Sequence, residues 1–432
     1  MPTLRSRRVV FEGDVRPATV RYEDGVIVAV GDGPADDDFG DLVILPGLVD
    51  SHVHVNEPGR TEWEGFSTAT RAALAGGTTA IVDMPLNSIP PTVDAEALEA
   101  KRDAARTTVV CDVAFWGGVV PGSGVNVSEL VAEGVCGFKV FLIDSGVEEF
   151  PPLTAGSLED VAAALAAAKV PLLVHAEDPS LILVPEGDPR RYATYLATRP
   201  PEAEATAIEQ VAEIVSRTGA RAHVLHVSSG AAVDALAAGG LTGEACPHYL
   251  TFDAAQIPDG ATVFKCAPPI RSAEDRERLW VALREGVLTM VVSDHSPAPP
   301  DVKAAGSGDF LAAWGGIASL ELRLVATWDG ARRRGFDFTD LARWLAEAPA
   351  ELAGIRHRKG SIRPGGDADF VVFDPDGITP VDQTGLHQRH PLTPYHGMRL
   401  AGRVVATYLR GTPAYGHGDS VPQSGVMLRR GD

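Results

Sequence analysis

The apolar positions of this chain change rhythm twice. From Arg8 to Val30 they alternate in short β-rich runs broken by Gly13, Pro17 and Gly25, and an acidic Asp36-Asp37-Asp38 loop then leads into Val43-Ile44-Leu45-Pro46-Gly47. Alternation at period two marks half-buried strands, so this stretch predicts a small β module. Beyond Pro46, apolar β-branched runs alternate with alanine-rich stretches of helical period, the texture of βα units around a parallel sheet. The candidate strands are Gly47–Val55, Ala80–Met84, Val113–Val119, Gly137–Leu142, Leu172–Ala176, Ala222–Val227, Gly243–His248 and Met290–Asp294. Helical stretches such as Trp63–Ala75, Val161–Lys169, Glu202–Arg217 and Ser272–Arg284 sit between them. After Leu352 the β texture returns in Gly360-Ser361-Ile362, Asp369–Phe373 and Arg403–Tyr408.

Eight such units over roughly 300 residues match a (β/α)8 barrel of the TIM type, and near-continuous apolar strands fit a sheet covered on both faces. No G-x-G-x-x-G loop follows the first strand, which removes the main reason to prefer a doubly wound open sheet. The strands at the two ends of the chain are expected to pair into one small β-sandwich. The expected division is residues 1–45 for its first part, 46–355 for the barrel, and 356–432 for its second part and a tail. The stretch Gly416–Asp432, rich in glycine and polar residues, is expected to be mobile or packed on another subunit.

Charge narrows the partners. The 432 residues hold 58 acidic against 38 basic side chains, a formal charge of −20, which repels phosphate backbones and anionic lipid headgroups. Arg5, Arg7 and Arg8 are too few for a basic patch and run into alternating strand rather than a signal-peptide core. No stretch offers eighteen consecutive apolar residues. Neither nucleic acid nor a membrane is an expected partner. Cys111, Cys136, Cys246 and Cys266 are scattered without C-x-x-C spacing, the usage of reduced thiols, and a cytoplasmic address is expected.

The candidate chemistry begins at His52-Val53-His54, at the end of the first barrel strand. Residues two apart on a strand share a face, so both imidazoles can reach one point; alone, the pair reads equally well as two satisfied histidines. His175, His226 and Asp294 each stand at the carboxyl end of a later apolar strand, where barrel sites are built. Any one of them singly is more often structural, but five such groups at one end of the barrel point to a metal site. Lys139 lies inside a strand buried on both faces and must find a partner or shed its charge. A neutral amine can react with carbon dioxide, and the resulting carbamate is a bidentate oxygen ligand able to bridge two divalent ions; the bland alternative is a lysine snorkelling to the rim. His223 is expected to face the core or the helices, His295 to point away from the centre, and His248 is a weaker candidate for the pocket wall. His357, His387, His390, His396 and His417 read as surface residues.

These residues resemble the amidohydrolase superfamily, in the branch that contains dihydroorotases, dihydropyrimidinases and allantoinases. The resemblance runs through Pro46–His54, Gly137-Phe138-Lys139, Val174–Glu177, Leu225–Ser229, Cys246–Tyr249, Ser293–Pro297 and Lys359–Asp369. It implies that His52, His54 and Asp294 hold one ion, that His175 and His226 hold the other, and that N6-carboxylated Lys139 bridges them. Zinc is the first expectation, though such ligands accept iron, cobalt or manganese. The ion pair would ionise a water at neutral pH for attack on a ring amide carbonyl, with Asp294 carrying its proton to the departing nitrogen.

Within the branch, the arginine that clamps a carboxylate in dihydroorotase-like sequences is replaced by Asn56, with Arg60 as a possible substitute. The oxyanion tyrosine of dihydropyrimidinase-like sequences is replaced by Asp144. Glu57-Pro58-Gly59-Arg60, Met84–Asn87, Phe264–Arg271 and Ala313–Ile317 resemble allantoinases. That resemblance implies hydrolysis of allantoin to allantoate, with Ser296, Asn56 and groups around Cys266, Trp314 and Gly315 contacting the ring, in a homo-oligomer that is tetrameric by analogy. The alternatives are a hydantoin, dihydropyrimidine or dihydroorotate substrate, or a noncatalytic assembly protein on the same barrel.

Overall fold

The computed structural model describes residues 1–123, 126–416 and 425–432; His417 lies outside them. The first strands are β1 (Thr3–Phe11), β2 (Asp14–Glu23), β3 (Val26–Gly31), β4 (Asp37–Asp38) and β5 (Val43–Pro46). The barrel follows with β6 (Leu48–Val53), β7 (Thr78–Asp83), β8 (Asp112–Phe115), its short continuation β9 (Gly117–Gly118), β10 (Phe138–Phe141), β11 (Leu172–His175), β12 (Ala222–Val224), β13 (Thr242–Ala245) and β14 (Leu288–Val291). β15 (Phe370–Pro380), β16 (Arg399–Leu409) and β17 (Thr412–Tyr415) complete the strands.

β6 to β8 and β9 to β14 pair in parallel in sequence order. The ring closes where the backbone N–H of His54 donates to the His295 carbonyl at 2.8 Å. All eight anticipated barrel strands are present, and every residue of β6, β7, β10 and β11 is buried, as a sheet covered by helices requires. The third is split at Trp116, whose indole N–H turns aside to donate to the Ser51 carbonyl at 2.8 Å. The seventh is shorter than the sequence predicts: Pro247 and His248 instead open the helix Pro247–Thr251. A proline has no N–H for a ladder and fits the first helical turn. The helices end by local chemistry too. In Pro201–Thr218, Pro201 opens the first turn beside Glu202 and Glu204, Arg217 sits in the last, and Gly219 leaves at φ +70°, which matches the helix dipole at both ends.

The two ends of the chain meet in one sheet of order β17-β16-β15-β5-β1-β2-β3, with β4 beside β1. β5 joins them, antiparallel to β15 on one edge and parallel to β1 on the other. Leu4, Val9, Val20, Ile44, Phe370, Val372 and Tyr408 form its own apolar cluster, apart from the barrel core. Barrel and sheet are pinned together by Lys359, whose Nζ lies 2.5 Å from Asp112, 2.7 Å from Asp367 and 2.8 Å from Asp369. The three carboxylates are close enough to bind a cation, and the ammonium fills that place.

The end of the chain departs from expectation. Met427 bridges to Val113 in parallel, Leu428 donates to the Val113 carbonyl at 2.8 Å, and Arg430 donates to the carbonyls of Cys136 and Leu352. Residues 425–432 are therefore packed on their own barrel, because Met427 and Leu428 give the segment apolar side chains to pack and Arg430 gives it a donor to bind with. All four cysteines are buried and free, as their spacing suggests. No helix among the described residues is long and apolar enough to cross a membrane.

Candidate active site

The carboxyl ends of the barrel strands open into a cavity of about 510 Å³. His54, Lys139, His175, His226, Asp294 and Ser296 line it, beside Asn87, Asp144, Tyr195, Arg199, Lys265, Trp314 and Gly315. His52 lies directly beneath. Its Nε2 is 3.1 Å from Asp294 Oδ1, and His54 Nε2 is 3.7 Å from the same oxygen, so His52, His54 and Asp294 aim one ligand atom each at a common point. His175 and His226 stand together with ring centroids 4.6 Å apart, and His226 lies 5.4 Å from His52. Lys139 Nζ reaches in between, 3.5 Å from His52 Nε2.

The backbone is bent to make this arrangement. His226 and Asp294 follow the ends of β12 and β14 at φ +38° and +44°, a left-handed region that side chains other than glycine enter at a cost of about 1–3 kcal/mol. His226 stands two residues beyond β12 and Asp294 three beyond β14, and both side chains line the cavity.

At His54, His175 and His226 electrostatics favour lone pairs over protons, whereas at His52 burial is outweighed by Asp294 and Glu244 and the pKa is raised. Burial pushes the imidazoles of His54 and His226 well below their usual pKa, and lowers that of His175. Burial drives Lys139 down to about 8, against the pull of Asp294 and Glu244. Burial alone would raise Asp294, but His52, His226 and His54 outweigh it and hold the carboxyl well below the usual range. His226 Nδ1 is buried with no hydrogen-bond partner among the described residues. Lys139 forms no ion pair among them either. A buried imidazole nitrogen without a partner and a buried amine without an ion pair, beside an ionised carboxylate, are a donor set that suits divalent cations.

Several supports were not legible in the sequence. Glu244, 0% exposed, accepts from His52 Nδ1 at 2.5 Å and faces His223 Nε2 at 3.2 Å, so it fixes which nitrogen His52 turns to the centre. Its signal was a lone acid inside the short, mostly buried strand Thr242–Ala245. Glu177 holds His175 Nε2 at 2.7 Å and Arg199 at 2.6 Å, and these two partners keep its pKa at about 2 despite burial. His295 points away from the centre, 3.2 Å from Glu64. His248 stays beneath the wall, its two ring nitrogens buried and unpartnered among the described residues. Of the anticipated ring contacts, Ser296, Trp314 and Gly315 face the cavity. Cys266 lies just behind, its carbonyl taken by the Tyr195 hydroxyl at 2.7 Å, with Lys265 and Ala267 on the wall instead. Asn56 is off the wall, buried in a left-handed turn at φ +68°. Arg60 is engaged with Glu149 and the Asn87 carbonyl.

A profile of the amidohydrolase family matches residues 43–414, which span the barrel and, of the sheet, β5, β15, β16 and nearly all of β17. The chain belongs to the amidohydrolase family. Among curated relatives of this amidohydrolase is the allantoinase of Streptomyces avermitilis, 47% identical over 99% of this chain and 98% of the relative. The allantoinase of Saccharomyces cerevisiae is 42% identical over 98% and 96%. Among solved structures, the L-hydantoinase (dihydropyrimidinase) of Arthrobacter aurescens superposes with a TM-score of 0.92 at 28% identity, covering all of both chains. The D-hydantoinase of a Bacillus sp. AR9 does so at 0.89 and 29%, over 100% and 99%. The fold class and the cyclic-amide hydrolase class of this amidohydrolase therefore stand as the sequence suggested.

Proposed function

We propose that this amidohydrolase is an allantoinase, which hydrolyses the ring amide of allantoin to give allantoate. The observation that carries the reading is the convergence of His52, His54, Lys139, His175, His226 and Asp294 on one cavity, in a chain aligned end to end with allantoinases. In this reading residues 46–355 are the catalytic unit, and 1–45 with 356–432 are its sheet-forming flanks.

His52, His54 and Asp294 would hold one divalent ion and His175 with His226 a second, with Lys139 as the N6-carboxylated bridge between them. The unpartnered His226 nitrogen and the depressed Lys139 amine support that fit. Bound there, zinc, or iron, cobalt or manganese in its place, would supply Lewis acidity and a water ionised at neutral pH. Asp294, ionised at neutral pH, takes the proton of the attacking water on a carboxylate oxygen and delivers it to the ring nitrogen as the C–N bond breaks. The new C–O bond leaves an open ureido carboxylate. Ser296 Oγ donates to Asp294 Oδ1 at 3.0 Å and steadies that carboxylate. The cavity wall formed by Ser296, Ala267, Trp314 and Gly315 orients the ring, and Asn56 supports the turn beside His54.

The free, buried thiols support a cytoplasmic address, and the family resemblance supports a homotetramer, which sedimentation would read. The deciding experiment assays purified protein with racemic allantoin beside hydantoin, dihydrouracil and dihydroorotate, and measures metal in the same preparation. Allantoin should be turned over fastest, with two ions per chain. Preference for hydantoin or dihydrouracil would transfer the chain to its structural neighbours' activity, and a metal-free, inactive preparation would favour a noncatalytic role.

A further inference from the structure

Lys303 is a lysine where a lysine has no carboxylate to meet. It is 4% exposed, and no acidic group lies within ion-pair distance among the described residues. Its Nζ instead lies 2.7 Å from the Gly316 carbonyl, 2.9 Å from that of Trp314 and 3.1 Å from that of Lys265. Burial lowers the Lys303 pKa to about 7; in the charged form, three carbonyl oxygens at hydrogen-bond distance match the three N–H donors of the ammonium, a count that neutral side chains of similar length do not reach.

The three carbonyls come from two separate segments that form one side of the cavity. Lys265 and Ala267 belong to the first, Trp314 and Gly315 to the second. Gly316 N donates to the Lys265 carbonyl at 2.9 Å and Trp314 N to the Val302 carbonyl at 2.9 Å, so Lys303 sits at the junction of all of these strands of chain. The same junction touches the proton-handling group. A Cβ on Gly316 would fall 2.2 Å from the Ser296 carbonyl, so Gly316 packs directly on the backbone of the residue whose hydroxyl holds Asp294.

We propose that Lys303 is a positioning residue that ties the 265–267 and 314–316 segments into a fixed wall against which the substrate ring is aligned. The proposal rests on the ring-opening reading of the cavity. Its ammonium never reaches the substrate; it sets the separation of two backbone segments whose peptide groups face the ring. Losing it leaves the Trp314 and Gly316 carbonyls without a donor among the described residues and the Lys265 carbonyl with the Gly316 N–H alone, and the wall relaxes to find others. A relaxed wall contacts the ring less well in the bound substrate and in the transition state alike, which weakens binding by about tenfold or more.

The test uses the metal-loaded enzyme. Lys303→Ala removes the side chain beyond Cβ and leaves a gap that adjoins a small recess lined by Val263, Ala298, His390 and Leu392. The variant should raise KM for allantoin about tenfold or more while bound metal and kcat stay within a few fold. Propylammonium, which replaces the missing atoms and the charge, should restore KM, and propanol should not. Lys303→Met, which keeps the volume without the donors, should raise KM as much as the alanine variant. An unmoved KM, equal rescue by propanol, or a fall in kcat that tracks metal loss would overturn the proposal. Loss of folded enzyme in both variants would assign Lys303 to stability and overturn it as well. Parent enzyme without ureide turnover would sink the ring-opening reading itself, a result distinct from parent activity with an unmoved KM in the variants.

Discussion

Replacing Lys359 with methionine tests how barrel and sheet are held together. The substitution keeps the length of the side chain and removes the ammonium that lies 2.5 to 2.8 Å from Asp112, Asp367 and Asp369 at once, leaving Arg410 on Asp112 and Arg358 on Asp367. Lys359 is fully buried, so water cannot replace the ammonium without opening the junction. Breaking a buried ion pair by removing one partner costs about 3–5 kcal/mol. Unfolding entropy of about 2.1 cal/mol/K per residue gives about 0.9 kcal/mol/K for this chain, so the midpoint of unfolding should fall by about 3–6 °C. Scanning calorimetry of the metal-loaded enzyme reads it. Adding Asp369→Asn to the methionine variant removes one of the mutually repelling carboxylates and should recover part of the loss. A midpoint within about 1 °C of the parent, or a double variant no better than the single one, would refute the idea that the lysine neutralises this cluster.

Three further outcomes follow from the geometry. Asp294→Asn should keep its metal by elemental analysis but lose about a hundredfold to ten-thousandfold in kcat; retention of most activity removes Asp294 from the proton-transfer role. Glu244→Gln should weaken metal affinity about 10- to 100-fold in chelator competition, because His52 exchanges a charged carboxylate acceptor for a neutral amide, and an unchanged affinity would contradict this. His387 lies 3.1 Å from Glu321, whose hydrogen bond raises its pKa above the ordinary value against the opposing effect of partial burial. That pair contributes stability that is present below about pH 6.5 and is lost as pH rises through the raised folded value, and half exposure keeps it under about 1 kcal/mol. NMR titration should find His387 above the ordinary value and Glu321→Gln should return it.

The barrel was legible because its strands are buried on both faces, which leaves little for the sequence to write there except apolar residues. Against that background His52, Lys139, His175, His226 and Asp294 stood out. The groups that orient them did not, since their roles depend on which strands become neighbours: Glu244 meets His52 across a separation of 192 residues. The seventh strand was overextended because Cys246-Pro247-His248 continues an apolar run, while the proline's missing N–H turns it into a helix. The last eight residues were misjudged from composition. Glycine and polar side chains suggest mobility, but Met427 and Leu428 find a groove beside Val113 that only the folded barrel provides. Lys303 was invisible for the same reason, its three acceptors coming from carbonyls that no side-chain pattern reports.

The placement of the four thiols makes the molecule its own reporter of where it opens. Cys111 and Cys136 precede β8 and β10 at the floor of the barrel, whereas Cys246 and Cys266 follow β13 near the rim. Burial pushes all four thiols up, Cys136 and Cys266 to about 12, so an alkylating reagent at neutral pH waits for local opening before it reacts. Mass-resolved labelling rates would then time floor and rim separately, and one engineered exposed cysteine would take a dye alone.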